Sequence, residues 1–138
     1  MASRHLDALV RAHSAAVFAN PRLMKRCVNK FGLVVGFEAS LSTAPPHEAG
    51  ADQTLAHWVV ATERWPHLRR ILVDYDEQRW AELGQALQTG QASSHPEVQR
   101  LSEHRGLRAW LREHVFADGR PELRPFLRAD QRLQRWGL

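Results

Sequence analysis

Apolar residues return every three or four positions along almost the whole chain, and the runs they form end at proline or glycine. That spacing gathers apolar side chains on one face of a helix and leaves charged ones on the other. Leu6, Leu9, Val10 and Val17 make the first stripe. Asn20-Pro21 then restarts the chain, with Asn20 a good N-cap and Pro21 in the first turn, where a missing N–H costs nothing. Leu23, Met24, Cys27, Val28, Phe31, Val34 and Val35 predict a helix from Pro21 to about Phe37 whose wide apolar face makes it the most buried of all. The stretch STAPPHEAG (42–50) reads as a loop, and Asp52 reads as the cap of a helix carrying Leu55, Trp58, Val59 and Thr62.

Trp65-Pro66 breaks that helix, because the residue before proline avoids the helical region. A short helix with Leu68, Ile71 and Leu72 follows, then one capped by Asp76 with Trp80, Leu83 and Leu87 inward. The polar segment QTGQASSH (88–95) reads as a mobile loop. Pro96 opens a helical stretch through Val98, Leu101, Leu107, Trp110, Leu111 and Val115, interrupted near Gly106. Asp118-Gly119 turns the chain, and the tail is a short helix or turn around Pro125 followed by a last helix with Leu133 and Trp136. The β-branched runs at 33–35 and 71–73 lie inside longer helical periods and give no separate strand signal. The expectation is an all-α protein, an irregular bundle of about six to eight helices. Its 138 residues suit a single domain with basic N-terminal helices (1–40), an acidic middle (51–88) and basic C-terminal helices (96–138).

Charge is distributed unevenly. Residues 1–40 carry six Lys/Arg against two acids, residues 41–99 four against eight, and residues 100–138 nine against five. Basic ends can bind nucleic acid or an acidic partner, or they can lean on the protein's own acidic middle. No apolar run reaches the roughly 18 to 20 residues that cross a bilayer. The N-terminus has no apolar core followed by a small-residue cleavage site, so the expected location is the cytoplasm. The one cysteine, Cys27, has no partner for an internal disulfide.

Familiar catalytic signatures are missing. None of the eight glycines precedes a lysine, so neither GxxxxGK[ST] nor GxGxxG occurs. No two of the eight histidines are three or four positions apart, which removes the usual helical zinc pair. Cys27 lies on the most apolar stripe, where a cysteine is a small core residue rather than a nucleophile. Asp74, Asp76 and Glu77 cluster at a helix start, where acids serve capping and the helix dipole. No catalytic residue, metal or cofactor is expected.

Two patches are specific when read together. Asn20-Pro21-Arg22-Leu23-Met24-Lys25-Arg26-Cys27-Val28-Asn29 opens one helix, and Leu55 to Pro66 forms another that ends Glu63-Arg64-Trp65-Pro66. In this order they resemble the helical region after the nucleotide-binding core of bacterial KAP-type P-loop NTPases, where an NPRxIKRxxN helix leads into one ending RWP. Pro121-Glu122-Leu123-Arg124-Pro125-Phe126-Leu127 is similar to the DLRPYL stretch near the end of such proteins. The resemblance covers most of the chain from about residue 14. The family's phosphate loop and magnesium-binding strand would lie before residue 1, so the expectation is an excised C-terminal piece or a descendant without the ATPase.

The resemblance implies a lid or regulatory domain without catalysis of its own, working with an ATPase core in cis or in trans. In related ATPases such a subdomain offers an arginine from a helix start to the terminal phosphate. Here that arginine is Arg22, with Lys25 one turn on as a second nucleotide-sensing cation. The bland alternative makes Arg22, Lys25 and Arg26 a solvated face opposite Leu23 and Cys27. A different function class is a basic nucleic-acid-binding module, in which Arg124, Arg128, Arg132 and Arg135 line one helix face for phosphate-backbone contacts. Glu122 and Asp130 dilute that stripe.

Overall fold

Where the sequence places a cap, the backbone turns. The computed structural model describes residue 7 and residues 20–41, 47–117 and 120–138. The first amphipathic stripe (6–17), most of the 42–50 loop and the Asp118-Gly119 turn fall outside these. The chain is all-α: among the described residues there are seven helices and one pair of two-residue strands. They divide into two compact units, one formed by the residues up to Leu68 together with Arg124–Leu138, the other by Arg69–Leu123.

The first unit holds α1 (Pro21–Ser40), α2 (Ala51–Arg64) and α7 (Arg124–Arg135). The Asn20 side chain accepts from the Leu23 N–H at 3.2 Å, and Pro21 occupies the first turn, as local chemistry requires. Helix α2 packs against both α1 and α7. It is therefore the buried helix of the unit, with Leu55, Ala56, Trp58, Val59, Val60, Ala61 and Thr62 inside. The expectation that α1 would be the most buried is corrected: α1 packs chiefly on α2 and buries only Cys27, Phe31 and Val34, while Leu33 and Phe37 are exposed. A helix covered on two sides needs small residues off its main stripe, which Ala56 and Ala61 supply.

The expected cap of α2 is also corrected. Gly50 is the N-cap, in the left-handed region at φ 82°, where a residue without Cβ is unstrained. Asp52 lies inside the first turn, and its carboxylate is taken by Arg132 from α7. At the other end Trp65 is buried beneath the Arg64 guanidinium, 5.0 Å from the ring centroid, so the Trp65-Pro66 break is a packed corner. The tail is one helix rather than a turn and a helix, since Pro125 sits in the first turn of α7 and leaves its ladder intact.

The second unit runs from α3 (Leu68–Asp74), whose Leu68 counts with the first unit, through α4 (Glu77–Thr89), α5 (Pro96–Glu103) and α6 (Arg105–His114) to the antiparallel pair β1 (Phe116–Ala117) and β2 (Arg120–Pro121). Asp76 caps α4 by accepting from the Arg79 N–H at 2.8 Å. The interruption expected near Gly106 falls at His104, whose Nδ1 accepts from the Leu107 N–H and restarts the chain as α6. Tyr75, Trp80 and Phe116 form a chain of ring contacts at 5.3 and 5.9 Å between centroids. The Arg108 guanidinium donates to the Leu87 carbonyl at 3.2 Å and ties α6 to the last turn of α4.

His114, half-buried with its ring 5.3 Å from that of Trp110, has its pKa lowered from 6.5. Burial is the larger cause and the nearby Glu113 opposes it. The folded state therefore holds the neutral ring, while the unfolded chain takes up its proton at the ordinary value. The His114 contribution to stability is complete above about pH 6.5 and is lost as pH falls through that value toward the folded pKa. Thermal melts at pH 7.5 and 5.5 check this: the drop in Tm on acidification is expected to be smaller in His114→Gln than in the parent, and an equal drop refutes it.

Candidate functional site

Residue by residue, the cations singled out in the sequence fall into two settings. Arg22 and Lys25 stand exposed in the first two turns of α1 and make no ion pair among the described residues. The helix carries no acid in its first turn, so their charge is not offset locally. The next residue, Arg26, is also exposed and approaches Glu63 of α2 at 4.0 Å, and Lys30, a turn further on, pairs closely with the same carboxylate, which is 12% exposed. Between them on the inner face lies Cys27, fully buried. Burial, with Glu63 nearby, pushes its thiol up to about 11, so at neutral pH it is an uncharged core side chain.

On α7 three of the four stripe arginines line one groove, and Arg124 does not. The groove encloses about 540 Å³ between the C-terminal end of α1, residues 47–51, Thr54 and α7. Its fixed element is Arg132. The guanidinium forks onto Glu38, with Nε donating to Oε2 at 3.0 Å and Nη2 to Oε1 at 2.6 Å, and Nη2 also donates to Asp52 Oδ1 at 2.9 Å. Both side chains of the fork are nearly buried, at 10% and 12% exposure. Burial alone would depress the guanidinium, but the hydrogen bonds to Glu38 and Asp52 more than offset it and hold Arg132 above its ordinary value. His47 Nε2 lies 3.0 Å from Glu38 Oε2 and joins the same carboxylate from the loop side. Arg128 pairs with Glu48, and the Arg135 guanidinium lies 5.3 Å from the Trp136 ring centroid.

This network was not legible as a site in the sequence. Glu38 stands 94 positions from Arg132, and Glu48 stands 80 from Arg128. Only the alternation of basic ends and acidic middle hinted that such pairs would form, and Glu48, Asp52 and Glu63 are indeed acids of the middle met by cations of the ends.

A third cluster, in the second unit, has the right residues for nucleophilic catalysis in the wrong order. The Ser93 hydroxyl donates to Glu82 Oε2 at 3.1 Å, and His95 Nε2 lies 3.4 Å from the same oxygen. An activated serine needs the imidazole on its hydroxyl and the carboxylate behind the imidazole. Here the carboxylate sits between them, so the contacts hold the 90–95 loop against α4 and offer no base to the hydroxyl. Among the described residues no group of three or more His, Cys, Asp or Glu side chains is placed to hold a metal ion, and no helix is long and apolar enough to cross a membrane.

Comparison with protein-family models, with curated proteins and with solved structures finds no match to this chain.

Proposed function

We propose that the chain is a non-catalytic helical lid or regulatory domain, resembling the region that follows the core in KAP-type P-loop NTPases. It works beside an ATPase core supplied in cis or in trans, in the bacterial cytoplasm, and senses the nucleotide through Arg22 with Lys25. One observation supports it above the others. On α1 the motif's first two cations, Arg22 and Lys25, are exposed and hold no ion pair among the described residues, whereas Lys30 of the same helix is tied to Glu63 and Arg26 lies within 4.0 Å of it. A guanidinium at a helix start has the positive helix end behind it and donors free for a phosphate oxygen.

The nucleic-acid reading draws less support, because Arg128 and Arg132 of its stripe are engaged by Glu48, Glu38 and Asp52. A phosphate contact at Arg132 would first have to break a nearly buried ion pair.

The test is ATP turnover by the P-loop ATPase that copurifies with the chain. Arg22→Ala is expected to lower kcat at least about tenfold, some 1.4 kcal/mol of transition-state stabilisation, with the fold unchanged. Arg26→Ala is the control and is expected to change turnover less than about twofold. Equal small effects at both positions, or no ATPase recovered with the chain, defeat the proposal.

A further inference from the structure

We propose that the groove on α7 is a binding site for a small polyanion, and that Glu48 is its built-in competitor. The inference is independent of the role given to Arg22.

The groove's 540 Å³ lies within the usual range for small-molecule sites, roughly 300 to 1,000 Å³. Its charged groups divide by mobility. Arg132 is fixed by its fork to Glu38 and is spent as wall. Among the described residues Arg128 is held by Glu48 alone, and that pair is open to water, with the two side chains 45% and 76% exposed. Solvated pairs of this kind are weak and exchange readily. Arg135 rests its guanidinium face near the Trp136 ring, which leaves the edge donors for an acceptor.

When Glu48 swings aside, Arg128 and Arg135 form a dicationic wall. They stand seven positions apart on one helix face, about 10 Å of rise, which suits two acidic groups a few atoms apart better than one. Between them α7 contributes Ala129, Gln131 and the fixed Arg132, with the small residues Ala49, Gly50 and Ala51 opposite. Among the described lining residues the one aromatic ring is the His47 imidazole, which is already joined to Glu38, so a nucleobase would find no Phe, Tyr or Trp face to stack on. The ligand class is therefore a compact polyanion without a base, either phosphate-bearing or polycarboxylate. Glu48 already places one carboxylate on Arg128 and shows the contact the ligand would replace.

Calorimetric titration of the full chain at low salt, with pyrophosphate in one arm and citrate in the other, tests this. Saturable one-to-one binding is expected in at least one arm, and the tighter arm assigns the phosphate or the carboxylate source. Glu48→Gln is expected to tighten binding at least about threefold, since it removes the competitor, and Arg128→Ala to weaken it at least about tenfold. Arg124→Ala, an exposed cation on the same helix outside the groove, is expected to change affinity less than about twofold. Absence of saturable binding in both arms overturns the site. So does a Glu48→Gln variant that melts like the parent yet binds no tighter, or an Arg124→Ala loss equal to that of Arg128→Ala.

Discussion

Phe31→Ala is expected to destabilise the first unit by about 3 to 5 kcal/mol, the range for emptying an aromatic site in a packed core. The ring is fully buried on the inner face of α1, between Cys27 and Val34 along the helix, and it belongs to the contact of α1 with α2. The rigid turns on either side limit how far the site can collapse. A loss of this size is a large part of the 5 to 15 kcal/mol that ordinarily separates folded from unfolded chains. Urea unfolding followed by far-ultraviolet circular dichroism measures it. The comparison is Phe37→Ala one and a half turns on, where the ring is exposed and contacts Trp136 at 5.0 Å between centroids. Its cost is expected to stay below about 1.5 kcal/mol, the worth of an aromatic pair at the surface. Equal losses at the two positions would mean that the inner and outer faces of α1 are not distinguished as the burial implies.

The contrast between those two phenylalanines marks what a sequence can say. Elements whose instructions are local were readable: Asn20-Pro21 opens α1, Trp65-Pro66 ends α2, and Asp76 caps α4 through the Arg79 N–H. Phe31 could be placed by its spacing from Cys27 and Val34. Phe37, four positions after Leu33, follows a helical spacing equally well and yet is exposed, because it lies off the face that packs on α2 and meets the edge of the fold at Trp136. Asp52 failed for a related reason. It has the chemistry of a cap, but Arg132 from the far end of the chain holds its carboxylate, and Gly50 takes the cap position. The charge pattern gave the sign of these long-range pairs, acidic middle against basic ends, but not their partners. The partner is chosen by which helices pack together, so the groove of Glu38, His47, Arg128 and Arg132 became visible only with α1, α2 and α7 in place. The place of Arg22 in an exposed first turn was readable because Asn20-Pro21 fixes the helix start.

Among single substitutions the greatest loss is expected at Trp58, which joins α2 to α7 by two kinds of contact. Its indole is fully buried and lies 5.8 Å from the Phe126 ring between centroids, and its Nε1–H donates to Asp130 Oδ1 at 3.0 Å. Asp130 is itself 3% exposed, and its other oxygen accepts from Gln134 Nε2 at 2.8 Å. Removing the indole therefore opens a cavity and takes a donor from a buried carboxylate at one stroke. Trp58→Ala is expected to cost about 4 to 6 kcal/mol: about 3 to 5 for the cavity, raised by the loss of one hydrogen bond to a buried carboxylate, with the two terms overlapping because they share a site. Trp58→Phe separates them. It keeps most of the ring and removes only the N–H, so it should cost about 2 to 3 kcal/mol, the worth of a hydrogen bond to a charged group plus the lost ring edge. The pair is then closed as a cycle with Asp130→Ala and the double variant, each measured by urea unfolding. If the bond joins α2 to α7 as its geometry indicates, the coupling energy is at least about 1 kcal/mol, because each single change removes one end of the same bond. Coupling below about 0.5 kcal/mol would show that the carboxylate is satisfied without the indole, and that burial of Trp58 alone accounts for its effect.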